Sequence, residues 1–322
     1  MTAPFTFIEL SIGEIRHEAV DVVSFELLPR PGVELPAFTA GAHIDVHLPG
    51  LIVRSYSLLN DQRERDRYVI AVRKETSGRG GSLYMHEQLV QGGKLTISSP
   101  KNNFPLVENG SHVVFIAGGI GITPIWSMIQ RLQELERSWE LHYCARSSRH
   151  AALYDKLMQL GAQRPESVHF HFDEGRADKM VNVASLIAEV RPDAHLYCCG
   201  PSGMMTAFKE ATADWQADHV HTEYFSAGSQ EKAKGGFEVE LARSGRTINV
   251  GHDQSILDAL IAAGLDAPHS CKEGVCGNCE TRVIAGTPDH RDLVLTAKER
   301  ESGQTMMICC SGCVGEKLVL DF

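Results

Sequence analysis

Apolar and polar residues alternate in short runs through the first third of the chain, at residues 5–8, 22–28, 43–48, 68–72 and 94–97. A period of two belongs to strands with one buried face. Clusters such as Pro29-Arg30-Pro31-Gly32 and Leu48-Pro49-Gly50 separate the runs. Regular strand spacing with turn punctuation predicts a small antiparallel β-barrel over residues 1–107. One helix interrupts it, from about residue 82 to about residue 90.

The pattern then changes. Residues 113–117 form a continuous apolar run, as expected of a parallel strand buried on both faces. It leads into Gly118-Gly119-Ile120-Gly121-Ile122-Thr123-Pro124 and a helix to about residue 136. Further strands at 141–145, 168–172 and 195–199, alternating with helices, predict an α/β domain over residues 108–226. Residues 227–236 are small, polar and end in two glycines, which predicts a linker. Beyond it, 237–241 and 247–250 read as a hairpin around Arg243-Ser244-Gly245-Arg246. A helix is expected at 255–263, with Ile256, Leu257, Leu260 and Ile261 on one face and Gly264 as its stop. Strands at 281–285 and 318–320 complete a β-grasp domain over residues 237–322.

Composition narrows the class. The chain has 322 residues, with 43% hydrophobic and 22% charged, a multidomain globular balance. The first residues show neither a signal peptide nor a membrane span. Nine cysteines without a secretory signal point to a reducing cytoplasm. The net charge is −10 and no basic stripe appears, so neither nucleic acid nor a membrane is an expected partner. Residues 237–322 hold 13 acidic and 8 basic residues. Such a surface either steers a basic partner or is simply a solvated face.

The candidate chemistry begins with the cysteines. Cys271, Cys276 and Cys279 stand at C-x4-C-x2-C, the plant-type spacing for a [2Fe–2S] cluster. Gly274 and Gly277 let this loop curl close to inorganic sulfur. Zinc usually takes two C-x2–4-C knuckles, and the second is missing. Cys309, Cys310 and Cys313 compete as the fourth ligand. Upstream, Arg54-Ser55-Tyr56-Ser57 combines a guanidinium for a phosphate with a ring for a flat heterocycle. On a strand, Arg54 and Tyr56 share a side. Gly78-Arg79-Gly80-Gly81-Ser82, with Ser82 as a helix cap, suits an anion. The turn at 118–124 has the strand–glycine–helix layout of a dinucleotide site, although Pro124 stands where the last glycine of G-x-G-x-x-G belongs. Arg146, Asp173 and Gly200-Pro201 end the following strands, and Asp173 can accept from a ribose hydroxyl. Each of these also reads as an ordinary turn or a solvated loop charge. The fifteen histidines show no metal spacing.

The order of these motifs resembles the phthalate dioxygenase reductase family, over essentially the whole chain. The resemblance rests on R-S-Y-S at 54–57, G-R-G-G-S at 78–82, G-G-I-G-I-T-P at 118–124 with C-G-P at 199–201, and the cysteine set. It implies a flavin barrel, a nucleotide domain like that of ferredoxin reductases, and a plant-type ferredoxin domain. Arg54, Gly80, Gly81 and Ser82 would serve the flavin phosphate, Tyr56 the isoalloxazine and Ser57 its reactive nitrogen, with Ser55 also binding the cofactor. FMN is the implied flavin, with FAD as the alternative. Gly119, Gly121, Thr123, Pro124, Gly200 and Pro201 would line the nicotinamide cofactor, with Cys199 near its ring, Arg146 and Asp173 by the ribose, and Phe225 bordering the flavin. NADH is implied over NADPH, and Cys309 is implied as the fourth cluster ligand. The expected protein is a monomeric oxidoreductase. It takes a hydride from NADH onto FMN and passes single electrons through the cluster to a Rieske-type oxygenase component. The alternatives are a flavin or ferric reductase without an oxygenase partner, or a non-enzymatic iron–sulfur sensor.

Overall fold

The hydrophobic alternation becomes three sheets in a computed structural model that describes residues 7–226 and 233–322. Residues 5 and 6 of the first expected strand, and 227–232 of the expected linker, lie outside the described residues. The chain divides into two compact units, Met1–Glu223 and Tyr224–Phe322. The first contains both the barrel and the α/β layer.

In the first unit β1 (Phe7–Ala19), β2 (Val22–Leu28), β3 (His43–Leu48), β4 (Ile52–Ser57), β5 (Tyr68–Arg73) and β6 (Lys94–Ser98) pair antiparallel in the order β4-β3-β6-β1-β2-β5. A bridge from Leu58 to Ile70 joins the two ends into a barrel, helped by Leu59 N–H donating to Val69 O at 2.9 Å. Alternation decides what each residue packs against. Val23, Phe25 and Leu27 of β2, and Tyr68, Ile70 and Val72 of β5, fill the barrel. Val22 and Ala71 face outward and are buried in the core of the neighbouring α/β layer. The near-continuous apolar stretch of β5 therefore reflects two cores, one on each face. α1 (Gly81–Gln88) contributes Met85 to the barrel interior.

The α/β layer holds β7 (Val113–Gly118), α2 (Ile122–Glu134), β8 (Trp139–Ala145), α3 (Tyr154–Gln163), β9 (Val168–Phe172), α4 (Val183–Ala188), β10 (His195–Cys199), α5 (Ser202–Ala211) and β11 (Val220–Glu223). Its sheet is parallel, in the order β11-β10-β7-β8-β9. The apolar run at 113–117 is the central strand, buried along its length. Two bonds tie α2 to the barrel: Gly41 N–H donates to Ser127 Oγ (3.1 Å) and Gln130 Nε2 donates to Leu59 O (2.9 Å).

The second unit is a mixed sheet in the order β13-β12-β16-β14-β15, made of β12 (Phe237–Leu241), β13 (Arg246–Val250), β14 (Glu280–Asp289), β15 (Thr305–Met307) and β16 (Gly312–Leu320). α6 (Ile256–Ala262) packs on it through Ile256, Leu257, Ala259 and Leu260. Ser255 caps α6, its Oγ accepting from Asp258 N–H at 3.1 Å. Ile261, expected on the buried face, is instead 39% exposed, and Ala259 occupies the buried stripe. α7 (Ala297–Ser302) opens with a reciprocal capping box between Thr296 and Glu299. β14 and β16 outrun their apolar cores of 281–285 and 318–320. Polar residues can extend a strand whose backbone finds a partner.

Candidate functional site

Three clusters of residues carry chemistry. The first lies at the end of β4. Its antiparallel register sets Arg54 opposite Val46 and Tyr56 opposite Ile44, so Arg54 and Tyr56 share a face as alternation predicts. Arg54 folds back on the backbone: Nη1 donates to Val53 O (2.7 Å) and Nη2 to Arg79 O (3.4 Å). A Cβ on Gly81 would stand 2.8 Å from Arg54 Cγ. Glycine there lets the guanidinium lie against the start of α1. The helix cap is Gly80, left-handed at φ 83°, and not Ser82. The Ser82 hydroxyl instead accepts from Glu75 N–H at 3.0 Å. Ser55 Oγ donates to the buried Asp45 Oδ1 at 2.6 Å, which commits it to the barrel wall. Burial pushes the Tyr56 hydroxyl up to about 12, against a smaller opposing effect of Arg54.

The second cluster sits at the carboxyl edge of the parallel sheet, where α/β proteins place ligands. Gly119 adopts φ 53° and its carbonyl accepts from Tyr143 Oη at 3.0 Å. A Cβ on Gly121 would collide with the Cys199 carbonyl, and one on Gly118 would stand 2.5 Å from Pro201 Cδ. A Cβ on Gly200 would stand 2.6 Å from Met204 Sδ. The turn at 118–124 and the C-G-P segment are thus packed backbone to backbone. Thr123 and Pro124 are buried, and Thr123 Oγ1 donates to Ile120 O at 3.0 Å, so both brace the turn. Arg146 and Asp173 stand on neighbouring strand ends joined through backbone: Asp173 N–H donates to Ala145 O (3.2 Å) and Glu174 N–H to Arg146 O (2.8 Å). Asp173 Oδ1 accepts from Gly175 N–H at 2.6 Å.

Sequence reasoning missed Glu223. Parallel register pairs it with Cys199, and Ser57 approaches from the barrel. Burial raises the Glu223 carboxyl to about 8, while Ser57 pulls the other way. Neither Ser57 Oγ nor Glu223 Oε2 makes a hydrogen bond of ordinary geometry. Burial first, then Glu223, holds the Cys199 thiol well above its usual range. The chain carries no clear signal for it, since β11 reads Val-His-Thr-Glu, a mostly polar strand. Phe225, singled out from the sequence, is 43% exposed and lies in the second unit's span.

The third cluster is the cysteine loop. Lys272, Gly274 and Gly277 all take positive φ, at 55°, 73° and 76°, which winds the loop tightly. Glu273 and Val275 N–H groups point at Cys271 Sγ (3.3 and 3.5 Å), and Cys271 N–H at Cys276 Sγ (3.5 Å). The Cys271 thiol reaches those of Cys276 and Cys309, and Cys309 reaches Cys279. Amide donors at Cys271 and Cys276 Sγ fit thiolate ligation of an iron–sulfur centre. Cys313 lies on β16 opposite Pro288, apart from this set. The missing Cβ of Gly274 faces Cys310 Sγ and Asp292. That glycine therefore makes room for the returning segment, where the sequence suggested room for inorganic sulfur.

Two family models match parts of the chain. Residues 239–313 match the 2Fe-2S iron-sulfur cluster binding domain, and residues 115–210 match the oxidoreductase NAD-binding domain. The chain is 49% identical to a tetrachlorobenzoquinone reductase of Sphingobium chlorophenolicum, over 100% of both chains. It is 50% identical to a phenoxybenzoate dioxygenase subunit beta of Ectopseudomonas oleovorans, over 98% of this chain and 97% of the other. A solved phthalate dioxygenase reductase, described as modular for electron transfer from pyridine nucleotides to [2Fe-2S], is 37% identical over 98% of both chains, with TM-score 0.74. No helix among the described residues is long and apolar enough to cross a membrane.

Proposed function

Because the chain belongs to the phthalate dioxygenase reductase family, we infer that it is the NADH-dependent reductase of a two-component Rieske-type oxygenase. When bound, FMN supplies the conversion of a hydride pair into single electrons, and a [2Fe–2S] centre supplies their exit. The protein contributes position and charge. Arg54 and the N–H groups at the start of α1 hold a phosphate, with Ser55 bracing that site from the barrel wall and Ser82 from α1. Tyr56 offers its ring to a flat heterocycle. The 118–124 turn, backed by Cys199, Gly200 and Pro201, presents N–H groups to the dinucleotide. The Asp173 carboxylate accepts from a ribose hydroxyl and repels a 2′-phosphate, which favours NADH. Arg146 stands beside it. Burial raises the Glu223 carboxyl to about 8, which lessens negative charge beside Ser57 and Cys199. Cys271, Cys276, Cys279 and Cys309 hold the iron. The protein acts as a cytoplasmic monomer in this reading.

One observation carries the proposal: a glycine turn packed on C-G-P occurs in the same chain as four neighbouring thiols. The test is direct. Purified protein should show flavin and iron–sulfur absorption, NADH should bleach both, and an oxygenase component should then be reduced. Protein with flavin but no iron overturns the reading. The quinone reductase relative favours a second acceptor, a benzoquinone reduced without an oxygenase. If Cys279→Ser still oxidises NADH with a benzoquinone at the full rate, quinones take their electrons upstream of the cluster.

A further inference from the structure

α2 has two faces of different character. Ile122, Ile125, Met128, Ile129 and Leu132 bury its apolar side in the core shared with the parallel sheet. Ser127, Gln130, Arg131 and Glu134 follow at helical spacing and line a second stripe. Each of these four bonds to a segment that precedes β7. The Ser127 hydroxyl is buried, accepts from Gly41 N–H (3.1 Å) and donates to Pro124 O (2.8 Å). Gly41 takes φ 89°, and a Cβ there would collide with Phe104 O, so the barrel comes this close because residue 41 is glycine. Ala42 O accepts in turn from Leu58 N–H at 2.8 Å, next to Ser57. Gln130 Nε2 donates to Leu59 O (2.9 Å) and to Trp126 O (3.2 Å). Glu134 pairs with Arg63 (3.2 Å) and Arg131 (2.8 Å), and Arg131 holds Glu108 through two bonds of 2.7 and 2.8 Å.

We propose that Ser127 and Gln130 are positioning residues that set the separation of the dinucleotide turn and the flavin strand, and with it the approach of nicotinamide to flavin. Ser127 joins Pro124 of the turn to the barrel segment bonded at Leu58. Gln130 joins the same helix to Leu59, two residues beyond Ser57. Hydride transfer depends on the alignment of the reacting atoms, and a misplacement of about 1 Å can cost on the order of a hundredfold in rate. The Ser127 bonds are buried, where a hydrogen bond is stronger than in water. The Arg63 side chain is 61% exposed, and an exposed ion pair contributes little. Both positioning residues act through the backbone they hold. The inference rests on the proposed function.

The experiment is stopped-flow reduction of the bound flavin by NADH in the holoprotein, for Ser127→Ala, Ser127→Thr and Gln130→Met, with rates expressed per bound flavin. The Kd for NADH and the charge-transfer absorption of reduced flavin with NAD⁺ are measured beside it. An interaction that serves only the reacting geometry lowers the rate and leaves binding alone. Ser127→Ala and Gln130→Met should therefore lower the limiting rate about three- to tenfold and weaken the charge-transfer band, with Kd within about twofold of wild type. Ser127→Thr, which keeps a hydroxyl, should recover most of the rate. Wild-type limiting rates in both Ser127→Ala and Gln130→Met overturn the proposal. So does a raised Kd at an unchanged limiting rate, since the residues would then serve binding instead of alignment. If Ser127→Ala does not fold, Gln130→Met decides alone. A wild type whose flavin NADH does not reduce refutes the functional reading itself.

Discussion

The dinucleotide turn at 118–124 and the cysteine loop at 271–279 both gather polar groups at one place, by opposite means. The turn does it with backbone. A parallel sheet brings its strand ends to one edge, and glycines let Gly121 seat against the Cys199 carbonyl. Its own side chains, Thr123 and Pro124, are buried braces. The loop does it with side chains. Its thiol side chains are what would bind, and the winding of left-handed residues brings amide N–H groups to Cys271 Sγ. A backbone site is therefore damaged by adding one carbon, and a side-chain site by removing one atom.

That contrast breaks most visibly at Cys279. Cys279→Ser should abolish iron–sulfur absorption and one-electron transfer to an external acceptor, while NADH still bleaches the flavin. Absorption spectra before and after NADH check it. A smaller effect is expected at Gly121. The methyl of Gly121→Ala meets the Cys199 carbonyl, and overpacking of this kind costs about 1–3 kcal/mol. The KM for NADH should rise roughly tenfold to a hundredfold, at about 1.4 kcal/mol per tenfold, with iron content unchanged. If the glycine were a mere hinge, steady-state kinetics would show little change.

Asp173→Asn sharpens the comparison from the side-chain face of the same edge. Removing the repulsion toward a 2′-phosphate should lower the ratio of kcat/KM for NADH over NADPH by about tenfold, the effect of about 1.4 kcal/mol. The smallest effect is at Glu223. Its carboxyl is raised by burial from 4.5 to about 8, so the folded state binds a proton that the unfolded state has released. Stability should therefore fall as pH rises from about 4.5 through about 8. Glu223→Gln cannot ionise, so its Tm should drop less than that of wild type between pH 6 and pH 9. Equal drops in thermal melts at the two pH values would remove the charge argument.

Legibility differed between the two regions for a physical reason. Strands at 22–28, 43–48, 168–172, 195–199 and 237–241 coincide with the apolar runs, since alternation follows directly from which face is buried. The cysteine loop was legible because metal ligation depends on residue type and short spacing. The cap at Ser82 was misread, since a hydroxyl near a helix start has several backbone partners within reach and Glu75 won. Ile261 was misread because a helix face of four apolar residues is wider than the stripe its sheet covers.

The three-part architecture, the glycine turns and the thiol spacing are all legible in runs of neighbouring residues. Which distant groups meet depends on the assembled sheets. Register between β10 and β11 puts Glu223 beside Cys199, and the barrel delivers Ser57 to the same place. The return of the chain after β15 puts Cys309 among the thiols, Cys310 against Gly274 and Cys313 out on β16. Local pattern carries no record of such meetings, because pairing between remote strands depends on the packing of whole sheets and not on any short run of residues.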